Sequence, residues 1–147
     1  MMRWMATWLV ALGACSSILQ INDTPSRECN TDLDCRGYRF PRSCSMRVFQ
    51  CVTVAPVMNA GEELYERETP HLNSPHLQST IPNGTLVSIV CQTRHGDQSM
   101  GRLERTTGNP FTTWDLLDDG YYVYDWYVNT QTVVNGYSDG IDPCPGD

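Results

Sequence analysis

Across residues 55–147 the apolar positions come in short runs, broken by Gly, Pro and Asn, and no run keeps a helical period. Residues 86–91, LVSIVC, are rich in β-branched side chains and read as a strand with Val87, Ile89 and Cys91 on one face. The preceding residues 81–85, IPNGT, are a turn, with Asn83-Gly84 suited to positive φ. Residues 93–109 are polar and glycine-bearing, a loop or hairpin excursion. Asp118-Asp119-Gly120 is a further turn, and residues 121–128, YYVYDWYV, form the most aromatic stretch of the chain. Read as a strand, that stretch puts Tyr121, Val123, Asp125 and Tyr127 on one face and Tyr122, Tyr124, Trp126 and Val128 on the other. Five or six short strands in about ninety residues predict an all-β fold, a small barrel.

The first residues follow another pattern. After Arg3, residues 4–14 carry no charge, which is too short to span a bilayer and right for the apolar region of a signal peptide. The stretch ends in Leu12-Gly13-Ala14-Cys15, which resembles the lipobox of bacterial lipoproteins. The resemblance implies a signal peptide over 1–14, cleavage before Cys15, and acylation of Cys15 as a membrane anchor. Ser16 in place of Asp points to the outer membrane of a Gram-negative cell. The competing reading is an ordinary secretory signal cut near Ala14, with Cys15 later paired. No later apolar stretch reaches ~18 residues, the length expected of a membrane-crossing helix.

Residues 15–28 read as the lipidated anchor and a tether, with turn chemistry at 22–26. Residues 29–54 then hold Cys29, Cys35, Cys44 and Cys51. So short a segment cannot bury a stabilising core, so two disulfides are expected to staple a mostly irregular knob. Zinc is the competing reading, but it favours paired short spacings such as C-x2-C, and none occurs. Three pairings are open; the crossed one, Cys29 with Cys44 and Cys35 with Cys51, is the one expected. Residues 29–35, CNTDLDC, resemble the C…DxDC…C…C modules that follow the anchor in lipoproteins of myxobacteria and their relatives.

Residues 55–144 resemble the bacterial SH3-like domain of exported wall-associated proteins. That family opens with a strand of the type LNVRSGP, matched here by residues 64–70, LYERETP, in which Glu68-Thr69 replaces the usual Ser-Gly. Its second element, GT[LI]PxGTxVx[IV]xCQ, is matched by residues 79–92, STIPNGTLVSIVCQ. Its third, WDx[LI]xDGxYVSDxYV, is matched by residues 114–128, WDLLDDGYYVYDWYV. The resemblance implies an SH3-like barrel over 55–147 and a disulfide between Cys91 and Cys144. The seven cysteines then divide into one anchor, four staples and one pair, which leaves no free thiol in the mature chain.

Charge narrows the chemistry. The formal net charge of −7 argues against a nucleic-acid partner. Residues 24–54 carry five Arg against three acids, and residues 55–147 four Arg against thirteen acids. The basic segment reads as a solvated surface, with anionic headgroups or wall polymers as the sharper alternative. His71, His76 and His95 fall in irregular segments, and no G-x-S-x-G, H-E-x-x-H or phosphate loop is present. Asp115, Asp118 and Asp119 lack EF-hand spacing. Neither catalytic nor metal-binding residues are therefore expected, and no cofactor; a hydrolase working through His95 and Asp97 is the least favoured reading.

Recognition remains. A small barrel buries one aromatic set, so the other is expected to be partly exposed; Tyr122, Tyr124 and Trp126, joined by Trp114 and by Arg67 of the opening strand, are the candidate contacts, with core and rim packing of all the aromatics as the competing reading. The resemblance suggests peptidoglycan stem peptides as ligands, and an acidic groove would prefer those bearing amines. The chain is thus expected to be a non-enzymatic envelope lipoprotein whose SH3-like domain binds the wall. The alternative is an interaction subunit that buries the aromatic face in an envelope protein.

Overall fold

The computed structural model describes residues 28–36, 42–58, 60, 64–105, 107–130, 133–134, 137–138 and 140–147. The expected signal peptide, Cys15 and nearly all of the expected tether lie outside the described residues. Strands β1 (Arg42–Ser45), β2 (Gln50–Pro56), β3 (Tyr65–Arg67), β4 (His76–Thr80), β5 (Leu86–Thr93), β6 (Trp114–Leu117) and β7 (Tyr122–Tyr124) form one antiparallel sheet, in the order β1-β2-β5-β6-β7-β3-β4. A separate small hairpin pairs β8 (Val133–Val134) with β9 (Tyr137–Ser138). The all-β reading holds. The sheet is open, with β1 and β4 at its edges.

The turns fall where their chemistry put them. Gly84 and Gly120 sit at φ +85° and +92°, a region that costs residues with a Cβ. Val87, Ile89 and Cys91 of β5 all face the core. Three disulfides form, Cys29–Cys44, Cys35–Cys51 and Cys91–Cys144, the crossed arrangement expected at the N-terminal side. The sulfurs of Cys29, Cys35 and Cys51 lie within 4.8 Å of one another because the two bridges stack. Bonded sulfurs of this kind have no free thiolate to offer zinc.

One expectation is met in part and one needs correction. Among the described residues of the four-cysteine segment turns and bends outnumber strand residues, but the segment is not separate from the sheet. It carries the β1–β2 hairpin, and β2 runs straight through position 54 into the main sheet, with Thr53, Val54 and Ala55 opposite Ile89, Ser88 and Val87. Its Val-Thr-Val run is strand-forming in its own right, a signal the cysteine spacing concealed. The aromatic stretch is likewise not one strand. β7 ends at Tyr124, and Asp125–Tyr127 forms a 3-10 turn. This turn brings Val128 back beside Val57 at the end of β2, through Met58 N–H to Tyr127 O (2.7 Å) and Asn129 N–H to Pro56 O (2.8 Å).

The main core gathers Val57, Leu64, Ile89, Trp114, Leu117 and Val123. The C-terminal residues close over β5: Gln92 N–H donates to Asp142 O (2.9 Å) and Cys144 N–H to Gln92 O (2.8 Å). Arg42 of β1 reaches the same segment, donating to Gly140 O at 2.6 Å and pairing with Asp142 at 3.2 Å. No helix among the described residues is long and apolar enough to cross a membrane. The Cys91–Cys144 bridge closes a separation of 53 residues, which by loop entropy stabilises the fold by about 4 kcal/mol. Urea unfolding of the C91S/C144S double variant should read a loss of that size.

Candidate functional site

A cavity of about 280 Å³ opens between the loop of the β3–β4 hairpin and the long connection from β5 to β6. Its floor is aromatic. Trp114 and Tyr124 are cross-strand partners on β6 and β7, and both are buried. Tyr127 joins them from the 3-10 turn, with ring centroids 5.2 Å apart for Trp114–Tyr124 and 6.1 Å for Tyr124–Tyr127. The polar ends of the floor are satisfied: Trp114 Nε1–H donates to Asp97 O (3.0 Å), and Tyr124 O–H donates to Phe111 O (2.7 Å). Burial pushes the Tyr124 phenol up to about 12, so it stays neutral. Leu72 and Met100 form the rim and are exposed, Met100 with a φ of +51°.

The two loops that flank the cavity are locked together at Asp97. Its carboxylate accepts from Leu72 N–H (2.9 Å) and faces His71 Nδ1 (3.2 Å), while its own N–H donates to Pro70 O (2.9 Å). The Leu72 amide first, and His71 second, hold this exposed carboxyl below the usual range. Beside it Gly96 lies so close to Trp114 and to Pro70 O that an added Cβ would fall 2.1 Å from the indole and 2.7 Å from the carbonyl. Only glycine lets the backbone approach the indole at that distance.

Of the five candidate contact residues, the structure brings Arg67, Trp114 and Tyr124 to this cavity. Tyr122, the cross-strand neighbour of Arg67, packs against the core and is outside the cavity wall. Trp126 is also elsewhere, half-buried against Phe111 with Arg102 stacked 5.0 Å over its ring. Of that face Tyr122 and Trp126 are partly exposed and Tyr124 is buried. The 3-10 turn ends the two-residue alternation after Tyr124, which separates Trp126 from the other two. Leu64, Tyr65, Leu72, Ser99, Met100 and Tyr127 complete the lining. Sequence pattern gave no access to Ser99 and Met100, which sit in an aperiodic loop. The lining contains Arg67 and no acid, so the net charge of the chain does not describe the cavity.

On the opposite face of the same strands lies a buried polar cluster. Gln92 and Asp115 are direct partners across β5 and β6, both fully buried. Gln92 Nε2 lies 2.7 Å from Asp115, 2.9 Å from Asp125 and 3.1 Å from Ser138 Oγ, and its Oε1 accepts from Ser138 N–H (2.7 Å). Asp125 also accepts from Thr130 (2.9 Å). Burial, then the charge of Asp125, pushes Asp115 well above the carboxylate range; burial pushes Asp125 to about 6. Both acids are thus pushed toward the protonated form, Asp115 the more strongly. On a third surface Glu66 is raised to about 7 by burial and by Asp119, against the opposing pull of Arg47.

The catalytic arrangement weighed from sequence is not assembled. His95 faces Asp147 (3.5 Å), and Asp97 faces His71 instead. Asp115 points into the core and Asp118 binds Ser45 Oγ (2.7 Å), so the three turn acids do not converge on a cation. No protein-family model matches this chain, and no curated protein matches it.

Two outcomes are expected. A carboxyl whose folded pKa is raised holds its proton where the unfolded chain has lost it, so stability falls as pH rises from the ordinary carboxylate range through about 6. Thermal melts should thus show a higher Tm at pH 5 than at pH 8, and Asp115→Asn should flatten that slope. Gly96→Ala should push Trp114 aside, which near-ultraviolet circular dichroism would register, and lower the Tm by several degrees.

Proposed function

We propose that this protein is a non-enzymatic lipoprotein of the cell envelope, whose SH3-like domain holds a cell-wall peptide in the cavity between the β3–β4 loop and the β5–β6 connection. The observation that carries the reading is the cavity itself: a buried aromatic floor, one cation, and apolar side chains left exposed at the rim. Sites of this make-up bind ligands, because the floor is preformed and the rim gains by being covered. The SH3-like assignment is supported by the order of elements. A hairpin precedes the glycine turn at 84, three strands follow, and the 3-10 turn returns the chain to the end of β2. The lipobox at 12–15 supports the anchor, and three disulfides belong in an oxidising, exported compartment.

A second reading, an interaction subunit of an envelope complex, draws on a different surface. The aromatic face it first relied on is divided, with Tyr124 buried and Tyr122 and Trp126 partly exposed. Met46 and Phe49, at the tip of the β1–β2 hairpin, are more than half exposed and give a partner something apolar to cover.

Purified sacculi separate the two. The mature protein should co-sediment with them between pH 5 and 8, and a Leu72→Ser/Met100→Ser variant should lose most of that retention. Absence of retention across that range, with one stoichiometric protein recovered instead, would favour the second reading.

A further inference from the structure

The cavity has a charge opposite in sign to the chain around it. Arg67 is its one ionisable side chain apart from the tyrosines. It is placed by β3, whose register sets it opposite Tyr122 on one side and His76 on the other. One guanidinium nitrogen donates to Ser74 O (3.0 Å), which holds the side chain against the inner edge of the β3–β4 loop. That bond engages one of five N–H donors, and the acceptor is neutral. Among the described residues no carboxylate lies within ion-pairing distance of Arg67, although acids outnumber arginines in the chain by seventeen to ten. Two acids on neighbouring elements are engaged elsewhere. Glu66 alternates to the far side and meets Asp119, and Asp97 is taken up by Leu72 and His71.

A half-buried guanidinium beside an aromatic floor, with its planar fork unclaimed by any acid among the described residues, is suited to a carboxylate. The volume sets the size of what accompanies it. At about 280 Å³ the cavity is at the small end of ligand sites, with room for the end of a peptide and not for a long segment laid across it. The walls next to the guanidinium, Leu64, Tyr65, Leu72 and Trp114, would sit against small apolar side chains.

Resting on the wall-peptide reading above, we infer that the cavity recognises the C-terminal carboxylate of a short peptide ending in small apolar residues, with Arg67 as the anion anchor and Trp114 and Tyr124 beneath the last side chains. This reverses the preference for amines drawn from net charge, which averages over surfaces the ligand does not touch.

The test compares two probes on the mature protein by titration calorimetry: diacetyl-Lys-D-Ala-D-Ala with a free C-terminal carboxylate, and the same peptide as its C-terminal carboxamide. The expected result is at least tenfold tighter binding of the acid, a difference that disappears in Arg67→Gln and is partly kept in Arg67→Lys. Equal binding of both probes to the unaltered protein would overturn the role of Arg67 and leave the groove reading standing. No binding of either probe by a protein that still sediments with sacculi would overturn the carboxylate site alone. Failure of both assays would remove the site and the wall reading together. The comparison of acid with amide on the unaltered chain needs no variant, so it stays decisive even if loss of the Ser74 bond loosens the loop in Arg67→Gln.

Discussion

The constraint on which most of this structure depends is the burial of one side-chain amide. Gln92 lies fully inside the protein, and every atom of it that can hydrogen-bond is used. Removing a primary amide from water without partners costs several kcal/mol, so the elements that surround Gln92 must all be present together. β5 supplies the amide, β6 supplies Asp115, the 3-10 turn supplies Asp125, and β9 supplies Ser138. A hydrophobic core of this size tolerates rearrangement; an amide with four side-chain hydrogen bonds has few arrangements that satisfy it, and here the fit around Gln92 leaves one oxygen of Asp115 buried without a partner. The cost of that specificity is a pair of acids that cannot both ionise comfortably in the folded chain.

The same strands serve two surfaces at once. Trp114 and Asp115 are adjacent, as are Tyr124 and Asp125. In each pair the aromatic goes to the cavity and the acid to the polar cluster. The floor of the cavity is therefore held from behind by a hydrogen-bonded network and from the side by the Gly96 approach and the Asp97 clamp. A ligand would meet a surface whose rotamers are already fixed, which reduces the entropy lost on binding.

Much of the framework was legible in the residues. The glycine turns, the β5 face and the class of the fold follow from local chemistry, because each depends on neighbours in sequence. The crossed pairing at the N-terminal side was readable as an expectation, and the Cys91–Cys144 bridge came only through a resemblance. What escaped were the features set by distant contacts. A 3-10 turn inside YYVYDWYV leaves no local mark, since Asp125 is drawn inward by Gln92, thirty-three residues earlier. The need for glycine at 96 arises from Trp114, and the charge of the cavity arises from which few side chains the loops admit. Total charge is a sum over the chain and carries no information about that choice.

The order in which the chain is made has a bearing on how it can fold. Gln92 and Asp115 are in place well before Ser138, Asp142 and Cys144, which cover them. A chain made only as far as residue 137 lacks Ser138 and the segment 140–144 that cover the amide and its two acids. Collapse around these groups gains little before then, since water solvates them better than a half-built interior. The polar cluster is therefore completed late, by residues far along the chain from the strand that carries Gln92.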